Sequence, residues 1–337
     1  MIDKSLKFER SDAYRLSVAP MMDWTDRHCR VFHRGFTRRA LLHTEMVTAA
    51  AVLHGDRGRL LAYHPLERPL ALQLGGSDPA LLAAATRIGV GAGYDAIDLN
   101  VGCPSDRVQS GCFGAALMRE PQLVAECAAA MIAAAGPVPV SVKCRIGVDE
   151  QDPEAVLPAF LAMLAGAGVR RVAIHARKAW LQGLSPKENR EIPPLDHDLV
   201  LRMKAAFPDL AIVVNGGIMD LDMAQDFLDR GLDGVMIGRA AYRTPALLGE
   251  VDRRIFGAPG PDVEPEAAVL AMLPYIEAER MRGTGLQAIT RHMLGAFQGR
   301  PGARAWRRRL SEDAHRPGAG PELVAAALVM VGERVAA

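Results

Sequence analysis

Residues 95–118 read DAIDLNVGCPSDRVQSGCFGAALM, which begins as a buried strand and continues as a glycine-rich loop. The strand alternates between an apolar face and a face that becomes polar: Ile97, Leu99 and Val101 oppose Asp98, Asn100 and Gly102. The runs 138–145 and 171–177 alternate in the same way. In a closed barrel of parallel strands, the apolar faces meet the helices and the polar positions converge at the carboxyl-terminal mouth, where barrel enzymes have their active sites. The alternative is that these polar residues only make structural hydrogen bonds. That explanation is reasonable for one strand, but less so for several strands with the same alternation.

Short apolar runs of this kind recur along the first three quarters of the chain, with Ala/Leu-rich helical stretches between most of them. Eight are predicted as strands: 16–21, 40–46, 70–75, 96–102, 138–144, 171–177, 211–217 and 234–239. Alternating strands and helices predict a parallel sheet, and eight such units favour an α/β fold of the (β/α)8 TIM-barrel type. No GxGxxG opens a helix after a strand, which argues against a Rossmann domain.

The strand pattern stops near residue 255. The stretch 254–269, RIFGAPGPDVEPEAAV, has a Gly/Pro-rich middle that is typical of a linker, and the following residues have helical patterns alone. We therefore predict a TIM-barrel catalytic domain over residues 1–255 and an all-helical domain over residues 262–337.

Composition limits the classes of function. The 337 residues carry a formal net charge of +1, so any binding of nucleic acid must come from local patches. The five cysteines form no CxxC pair, which argues against a disulfide framework and a zinc site, and we expect no bound metal. There is neither a signal-peptide pattern at the N-terminus nor an apolar run of the ~18 residues that a membrane span needs. We expect a cytoplasmic protein with no membrane association and no obligate protein partner, most simply a monomer.

The last two predicted strands end in glycines, in NGG (215–217) and GRA (238–240). In TIM barrels the loops after strands 7 and 8 commonly hold a phosphate through backbone N–H groups, and Arg239 would add positive charge. Either tripeptide alone is better explained by an ordinary turn. Their occurrence together at the ends of neighbouring strands favours a phosphate site.

Three inward-facing residues accompany this phosphate site: Gln73, Lys143 and His175. An amide can read the pyrimidine edge of a flavin, and a lysine can stabilise the negative charge that a reduced flavin gains near N1 and O2. This set indicates flavin mononucleotide (FMN). For His175 alone, a hydrogen-bonded structural residue is the more common interpretation. NADPH would need no motif of its own to reduce such a flavin.

Cys103 follows the fourth strand at the barrel mouth, and it has three candidate roles: buried filler, nucleophile or proton donor. Free cysteine is often buried, which is the plain structural interpretation. A nucleophile needs a paired base, and the nearby sequence offers none. An ordinary thiol is mostly protonated at neutral pH and can protonate a carbon once a hydride has created an enolate-like anion. This chemistry favours the proton donor.

The chain resembles the tRNA-dihydrouridine synthases over nearly its whole length. The resemblance is carried by APMMDWTDRHCR (19–30), LALQLGG (70–76), DLNVGCPS (98–105), SVKCRIG (141–147), VNGGI (214–218) and GVMIGRAAY (234–242). Two further stretches resemble the A-type subfamily, which acts on uridines 20 and 20a of the tRNA D-loop: KAWLQGLSPKENREIPPL (178–195) and HMLGAFQGRPGARAWRR (292–308).

This resemblance implies a barrel with FMN over its mouth, reduced by NADPH. It implies these flavin contacts: Pro20, Met21, Met22, Gln73, Lys143, His175, Asn215, Gly216, Gly217, Gly238 and Arg239. Hydride would pass to C6 of a uracil and Cys103 would protonate C5, while Asn100 holds the base and Arg177 helps to position it. The resemblance also implies that Lys187, Arg190, Arg304 and Arg307 orient the tRNA.

A basic run agrees with RNA binding. Residues 300–309, RPGARAWRRR, hold five arginines and no acid, and Arg304, Arg307 and Arg308 share one helix face. Trp306 either packs internally or stacks on a base. A solvated helix face is the common alternative for such a run.

Three other functions remain open on the residues alone. A flavin barrel that reduces a small pyrimidine or enone would not need the arginine-rich tail. A tRNA-binding protein without redox activity would keep the barrel but not the flavin. A phosphosugar enzyme would need a carboxylate base at the mouth, for which Glu45 is the candidate.

Overall fold

Within the residues that the computed structural model describes, 14–105 and 113–335, nine strands form one parallel sheet. The strands are β1 (Leu16–Val18), β2 (Leu42–His43), β3 (Val47–Thr48), β4 (Leu70–Gly75), β5 (Ala96–Val101), β6 (Val140–Arg145), β7 (Arg171–His175), β8 (Ala211–Asn215) and β9 (Gly234–Ile237). Their order is β1-β9-β8-β7-β6-β5-β4-β2, and β3 also pairs with β4. A parallel bridge between Ser17 and Leu41, with Val18 N donating to Leu41 O at 2.9 Å, joins β1 to the chain just before β2. The sheet is thereby closed, and the predicted TIM barrel is confirmed.

The second predicted strand, 40–46, is divided into β2 and β3, which is why nine strands make eight barrel positions. The division occurs at Thr44, whose Oγ1 accepts the backbone N–H of Gln73 at 3.0 Å. A side-chain oxygen thus replaces a main-chain carbonyl in the ladder, and the pairing with β4 resumes only at Val47. The seven other predicted strands are observed: β4 has the predicted bounds, β6 begins two residues later and ends one residue later than predicted, and the other five end one to three residues early.

Helices follow the strands around the barrel. They are α1 (Arg27–Phe36), α2 (Ala49–His54), α3 (Arg57–Leu60), α4 (Pro79–Gly91), α5 (Pro121–Ala135), α6 (Pro153–Gly166), α7 (His197–Ala206), α8 (Leu221–Asp229), α9 (Arg239–Arg243) and α10 (Val251–Arg254). Short 3-10 helices lie at Pro65–Glu67, Gly114–Arg119, Glu188–Arg190 and Pro245–Glu250. The apolar faces of the strands meet this ring, and Leu72, Ile97 and Val142 are fully buried there. Their burial leaves the alternate, polar positions to face the barrel interior.

Helices alone are found in the described chain beyond β9. The last of them are α11 (Pro265–Ala271), α12 (Leu273–Met281), α13 (Leu286–Thr290), α14 (Ala303–Asp313) and α15 (Pro321–Val335). They dock on α1, where Arg27 pairs with Glu279 at 2.6 Å and His28 Nδ1 lies 2.7 Å from the Tyr275 hydroxyl. The helical composition of this region agrees with the sequence. The assignment of residues 1–255 and 262–337 to two domains stays a prediction. None of the described helices is both long and apolar enough to cross a membrane.

Trp306 is packed inside the helical region. Its side chain is fully buried, its ring meets Phe297 edge-on at 5.0 Å between centroids, and its Nε1 donates to Met293 O at 2.9 Å. Of the two roles that the sequence leaves open, the structure therefore shows internal packing.

We expect Trp306→Ala to lower the free energy of unfolding by about 3–5 kcal/mol, because it removes a fully buried aromatic ring and leaves a cavity. Urea unfolding followed by circular dichroism measures the change. Arg308→Ala, on the exposed side of the same helix, is the control and should stay within about 0.5 kcal/mol of the parent. Equal stability of the Trp306→Ala variant would contradict the packing role.

Candidate active site at the barrel mouth

Polar side chains from five neighbouring strands lie together at the carboxyl-terminal mouth. The strand register sets them side by side: Gln73 with Asp98, Asn100 with Lys143, Arg145 with His175, and His175 with Asn215. Asn100 Nδ2 donates to Gln73 Oε1 at 2.8 Å, and Gln73 Nε2 donates to Asp98 Oδ2 at 2.7 Å. The residues predicted on β4 to β8 are therefore brought into one site.

Cys103 is held at this mouth by its own backbone. Asn100 Oδ1 accepts the N–H groups of Gly102 and Cys103 at 3.1 and 3.0 Å, which forms a tight turn at the end of β5. The thiol is partly exposed and lies 3.5 Å from the Ser105 hydroxyl. Among the described residues it is the one cysteine that is not buried. No basic side chain of the described chain hydrogen-bonds this sulfur, as a nucleophile would require. Residues 106–112, including Cys112, lie outside the described chain.

Lys143 carries a cation at the mouth without an acidic partner. No carboxylate of residues 14–105 or 113–335 lies within 4.0 Å of its Nζ. Burial and the nearby Arg145 lower the pKa of Lys143 to about 8. An ammonium group that is disfavoured in this way gains most from an anionic ligand.

His175 lies beside Lys143 and against the turn that follows β8. Burial, and then the charges of Arg145 and Lys143, hold the pKa of His175 well below its usual range, so the imidazole is neutral. The adjoining turn has φ of 104° at Gly216 and 73° at Gly217, which favours glycine. A Cβ on Gly216 would lie 2.4 Å from His175 Cδ2, and one on Gly217 would lie 2.5 Å from Leu195 Cδ1. Side chains are thus excluded where a ligand phosphate is predicted.

The loop after β1 reaches the end of β9. A Cβ on Gly238 would lie 3.8 Å from Met21 Sδ, so the two predicted contacts adjoin each other. Pro20 and Met21 are half-buried, whereas Met22 is 53 % exposed. Asn215 differs from its neighbours because its Nδ2 donates inward to Met236 O at 2.8 Å. This hydrogen bond ties the end of β8 to β9, and the side-chain oxygen of Asn215 remains a candidate ligand for the flavin.

The long connection from Lys178 to Asp196 is fixed over one side of the mouth by two residues that the sequence did not assign. Arg145 donates to the carbonyls of Lys178 and Asn189, both at 3.0 Å, and to Gly102 O at 2.9 Å. The fully buried Asn189 closes the loop with Nδ2 on Trp180 O at 2.8 Å and Oδ1 on Trp180 N at 2.7 Å. The sequence did contain a signal for Arg145, because this residue lies two positions after Lys143 and therefore on the same inward face of the strand.

The predicted cations on this connection have different surroundings. Arg177 donates to the carbonyls of Glu191 and Pro193, which turns it toward the loop. Arg239 binds Glu191 Oε1 at 2.8 Å and Arg190 O at 3.1 Å, so its charge is already paired. Lys187 and the Arg190 side chain are exposed. Both side chains are accessible to solvent, as an RNA contact requires.

Arg304 and Arg307 lie apart from the mouth on α14. Arg300 and Arg309, at the ends of the basic run, pair with Glu264 and Asp313. Arg304 is exposed, and Arg307 binds the neutral Gln298 at 2.8 Å. Among the described residues, neither has an acidic partner. The positive charges of Arg304 and Arg307 are therefore not neutralised by acidic side chains.

The geometry combines a partly exposed thiol, a lysine without an acidic partner and a glycine turn in a closed barrel. A family model described as dihydrouridine synthase matches residues 17–331 of the chain. The chain belongs to the dihydrouridine synthase family. The predicted class of enzyme, a flavin-dependent oxidoreductase, is thereby confirmed.

Curated relatives of this dihydrouridine synthase are similar over almost their whole length. The tRNA-dihydrouridine(20/20a) synthase of Salmonella typhi is 56 % identical over 323 residues, covering 96 % of each chain. The protein of the same name from Vibrio cholerae is 57 % identical over 318 residues, covering 94 % of this chain and 96 % of its own.

Solved structures with the same fold are more distant. An old yellow enzyme homologue from Zymomonas mobilis has a TM-score of 0.51 and 15 % identity, covering 75 % of this chain and 92 % of its own. Morphinone reductase in complex with tetrahydroNAD has a TM-score of 0.50 and 14 % identity, covering 75 % and 90 %. At this identity they show the barrel fold alone.

The described residues contain no cluster of three His, Cys, Asp or Glu side chains that could hold a metal ion. Glu45, the carboxylate that a phosphosugar enzyme would use, instead accepts the backbone N–H of Asp23. Burial raises its pKa. Because the chain belongs to the dihydrouridine synthase family, we do not propose a phosphosugar enzyme.

Proposed function

We propose that this dihydrouridine synthase reduces the C5–C6 bond of uridines 20 and 20a in the D-loop of tRNA, with FMN as its cofactor and NADPH as its reductant. The observation that carries the proposal is the unpaired, partly buried Lys143 between the Cys103 turn and the turn at Gly216. An anion is the ligand this lysine lacks, and a thiol acid is placed beside it. The relatives named tRNA-dihydrouridine(20/20a) synthase support the choice of substrate and positions.

The residues at the mouth fit FMN in three respects. The turn at Gly216 and Gly217, with φ of 104° and 73°, carries no side chain that would shield its backbone N–H groups from a phosphate. Gln73 keeps one N–H and one oxygen lone pair free of its two hydrogen bonds, so its amide can read a pyrimidine edge. Lys143 would stabilise negative charge on the ring, and neutral His175 would add a hydrogen bond without adding charge. The remaining contacts would come from Pro20, Met21, Met22, Asn215, Gly238 and Arg239.

When bound, a reduced flavin supplies the hydride that is added to C6 of the uracil. The protein then has to hold the base and provide one proton at C5. Asn100 holds the base through the N–H of Nδ2 that Gln73 does not use, and Arg177 helps to position it. Cys103 donates its S–H proton to C5 from the opposite side. The donated proton stays on C5, solvent supplies a new proton to the thiolate, and the two additions together complete dihydrouridine.

Uridine must leave its stack to enter this mouth, as base-modifying enzymes generally require. Four cations would hold the surrounding RNA: Lys187, Arg190, Arg304 and Arg307. We assign catalysis to residues 1–255 and RNA binding chiefly to the helical residues 262–337. A monomer would suffice, because all of these residues lie on one chain.

Anaerobic reduction of the purified protein with NADPH, followed by addition of unmodified tRNA, tests this function. We expect the oxidised-flavin absorbance to return with tRNA and not with free uridine, and dihydrouridine to appear at positions 20 and 20a. Reoxidation by free uridine or by a small enone would favour the small-molecule flavin enzyme. A protein that binds tRNA but takes up no flavin on reconstitution would contradict the redox function.

The double variant Arg304→Ala/Arg307→Ala should bind tRNA more weakly and with less dependence on salt. Each phosphate contact contributes roughly 0.7–0.9 to the slope of log affinity against log salt, so two lost contacts should reduce that slope by about 1.5. Binding is measured by filter retention from low to moderate ionic strength. The matched control is Arg300→Ala/Arg309→Ala, which removes two arginines that are already paired with acids. Equal slopes for the two double variants would assign Arg304 and Arg307 to an ordinary solvated face.

A further inference from the structure

Asp98 is a buried carboxylate at the mouth with no role in the function proposed above. It lies on β5 between Gln73 and Ser141, and 1 % of it is exposed. Its Oδ2 accepts Gln73 Nε2 at 2.7 Å, and its Oδ1 accepts the Ser141 hydroxyl at 2.7 Å. A buried ionised group is costly unless each oxygen is hydrogen-bonded, and both are.

The chain of hydrogen bonds from Asp98 has a direction that its two ends impose. At one end, the backbone N–H groups of Gly102 and Cys103 can only donate, so the atom of Asn100 that meets them must be its oxygen. The nitrogen of Asn100 therefore faces Gln73 and meets the oxygen of that amide. At the other end, an ionised carboxylate can only accept, so Gln73 must turn its nitrogen toward Asp98.

This direction decides what Asn100 offers to a base. Both lone pairs of its Oδ1 are used by backbone N–H groups, and one of its two N–H bonds is used by Gln73. What remains is a single N–H donor. A uracil carbonyl oxygen can accept from this donor, whereas an exocyclic amino group would oppose it with a second donor.

We propose that Asp98 is a positioning residue for the reaction: its carboxylate anchors the amide of Gln73, the Oε1 of Gln73 anchors the Nδ2 of Asn100, and the uracil-reading N–H of Asn100 is thereby held in place. This inference rests on the proposed function, because it assumes that Asn100 holds the uracil.

The charge of Asp98 gives the proposal a pH signature. Burial raises the pKa of Asp98 to about 6, against the hydrogen bonds from Gln73 and Ser141 and the charges of Lys143 on β6 and Arg171 on β7, which lower it. Below that pH the carboxyl group is neutral, so the hydrogen bond that it accepts from Gln73 Nε2 loses its charge assistance and holds the amide less firmly. The rate of uridine reduction should therefore fall on the acid side of about pH 6.

The test measures single-turnover reoxidation of the prereduced holoenzyme by tRNA between pH 5 and 9, for the parent and for Asp98→Asn, Asn100→Ala and the double variant. We expect Asp98→Asn to lower the rate roughly 10- to 100-fold at pH 8, as loss of a residue that orients a binding group does, and to lose the acid limb. The double variant should react no more slowly than Asn100→Ala alone, because Asp98 acts through Asn100. Ser141→Ala is the matched control, since it removes the other hydrogen bond of Asp98, and it should keep the acid limb.

A parental rate and pH profile in Asp98→Asn, or effects of Asp98→Asn and Asn100→Ala that simply multiply, would overturn the positioning role. Should Asp98→Asn fail to bind flavin, the parent and Ser141→Ala decide: a rate without an acid limb in both contradicts the proposal. Failure of the parent enzyme to form dihydrouridine contradicts the proposed function itself. A working parent beside an unaltered Asp98→Asn contradicts the positioning role alone.

Discussion

Cys103→Ala should form dihydrouridine at least about 100-fold more slowly than the parent while it still binds flavin and oxidises NADPH. General acids of this type contribute roughly 10²- to 10⁴-fold, and no other exposed thiol lies at the mouth among the described residues. Reduction of the flavin does not use the thiol, so that half of the reaction should continue. Mass spectrometry of digested tRNA measures the product, and anaerobic NADPH titration measures the flavin.

Two further variants separate proton donation from packing. Cys103→Ser keeps the size and the backbone turn but has a much weaker acid, so it should be nearly as slow as Cys103→Ala. Cys127→Ala, in the buried face of α5, removes a thiol far from the mouth and should keep the parental rate per folded enzyme. Normal product yield from Cys103→Ala would mean that the thiol has only a packing role.

The fold was predictable because period-two alternation and strand–helix repetition are local signals. Seven strands and the helical end of the chain were read from them correctly. The division of residues 40–46 was not predictable, because it depends on Thr44 reaching the backbone of Gln73, a contact between distant parts of the sequence. Trp306 shows the same limit, since its partners Phe297 and Met293 decide between packing and stacking.

The candidate site was predictable where single residues carry the chemistry and not where they act as a network. Cys103, Lys143 and the glycines could be chosen by residue type and by position at strand ends. The pairing of Arg239 with Glu191, and the clamp that Arg145 and Asn189 form on the long loop, depend on how loops fold over the mouth. Strand register brought Asp98 next to Gln73, and the sequence alone does not contain that register.

Lys143→Met should weaken flavin binding roughly 10- to 100-fold. A hydrogen bond to a charged partner contributes about 1.5–3 kcal/mol, and methionine keeps the length of the side chain while removing the ammonium group. Flavin binding is measured by fluorescence quenching after removal and reconstitution of the cofactor. Lys204→Met, on α7, removes a lysine that already pairs with Asp233 at 2.9 Å and serves as the control. Equal flavin affinity of Lys143→Met and the parent would remove Lys143 from the flavin site.

The pH dependence of flavin binding gives the same lysine a second, independent test. The pKa of Lys143 without ligand is about 8, and an anionic ligand raises it because it stabilises the ammonium form. Below pH 8 the ammonium is already present, so affinity should not change with the charge of this group. Above pH 8 binding must take up a proton, so affinity should fall by up to about tenfold per pH unit until the pKa of the complex is passed. Lys143→Met should show no such fall, and a parental curve that stays flat to pH 9.5 would mean that the ligand does not contact the ammonium group.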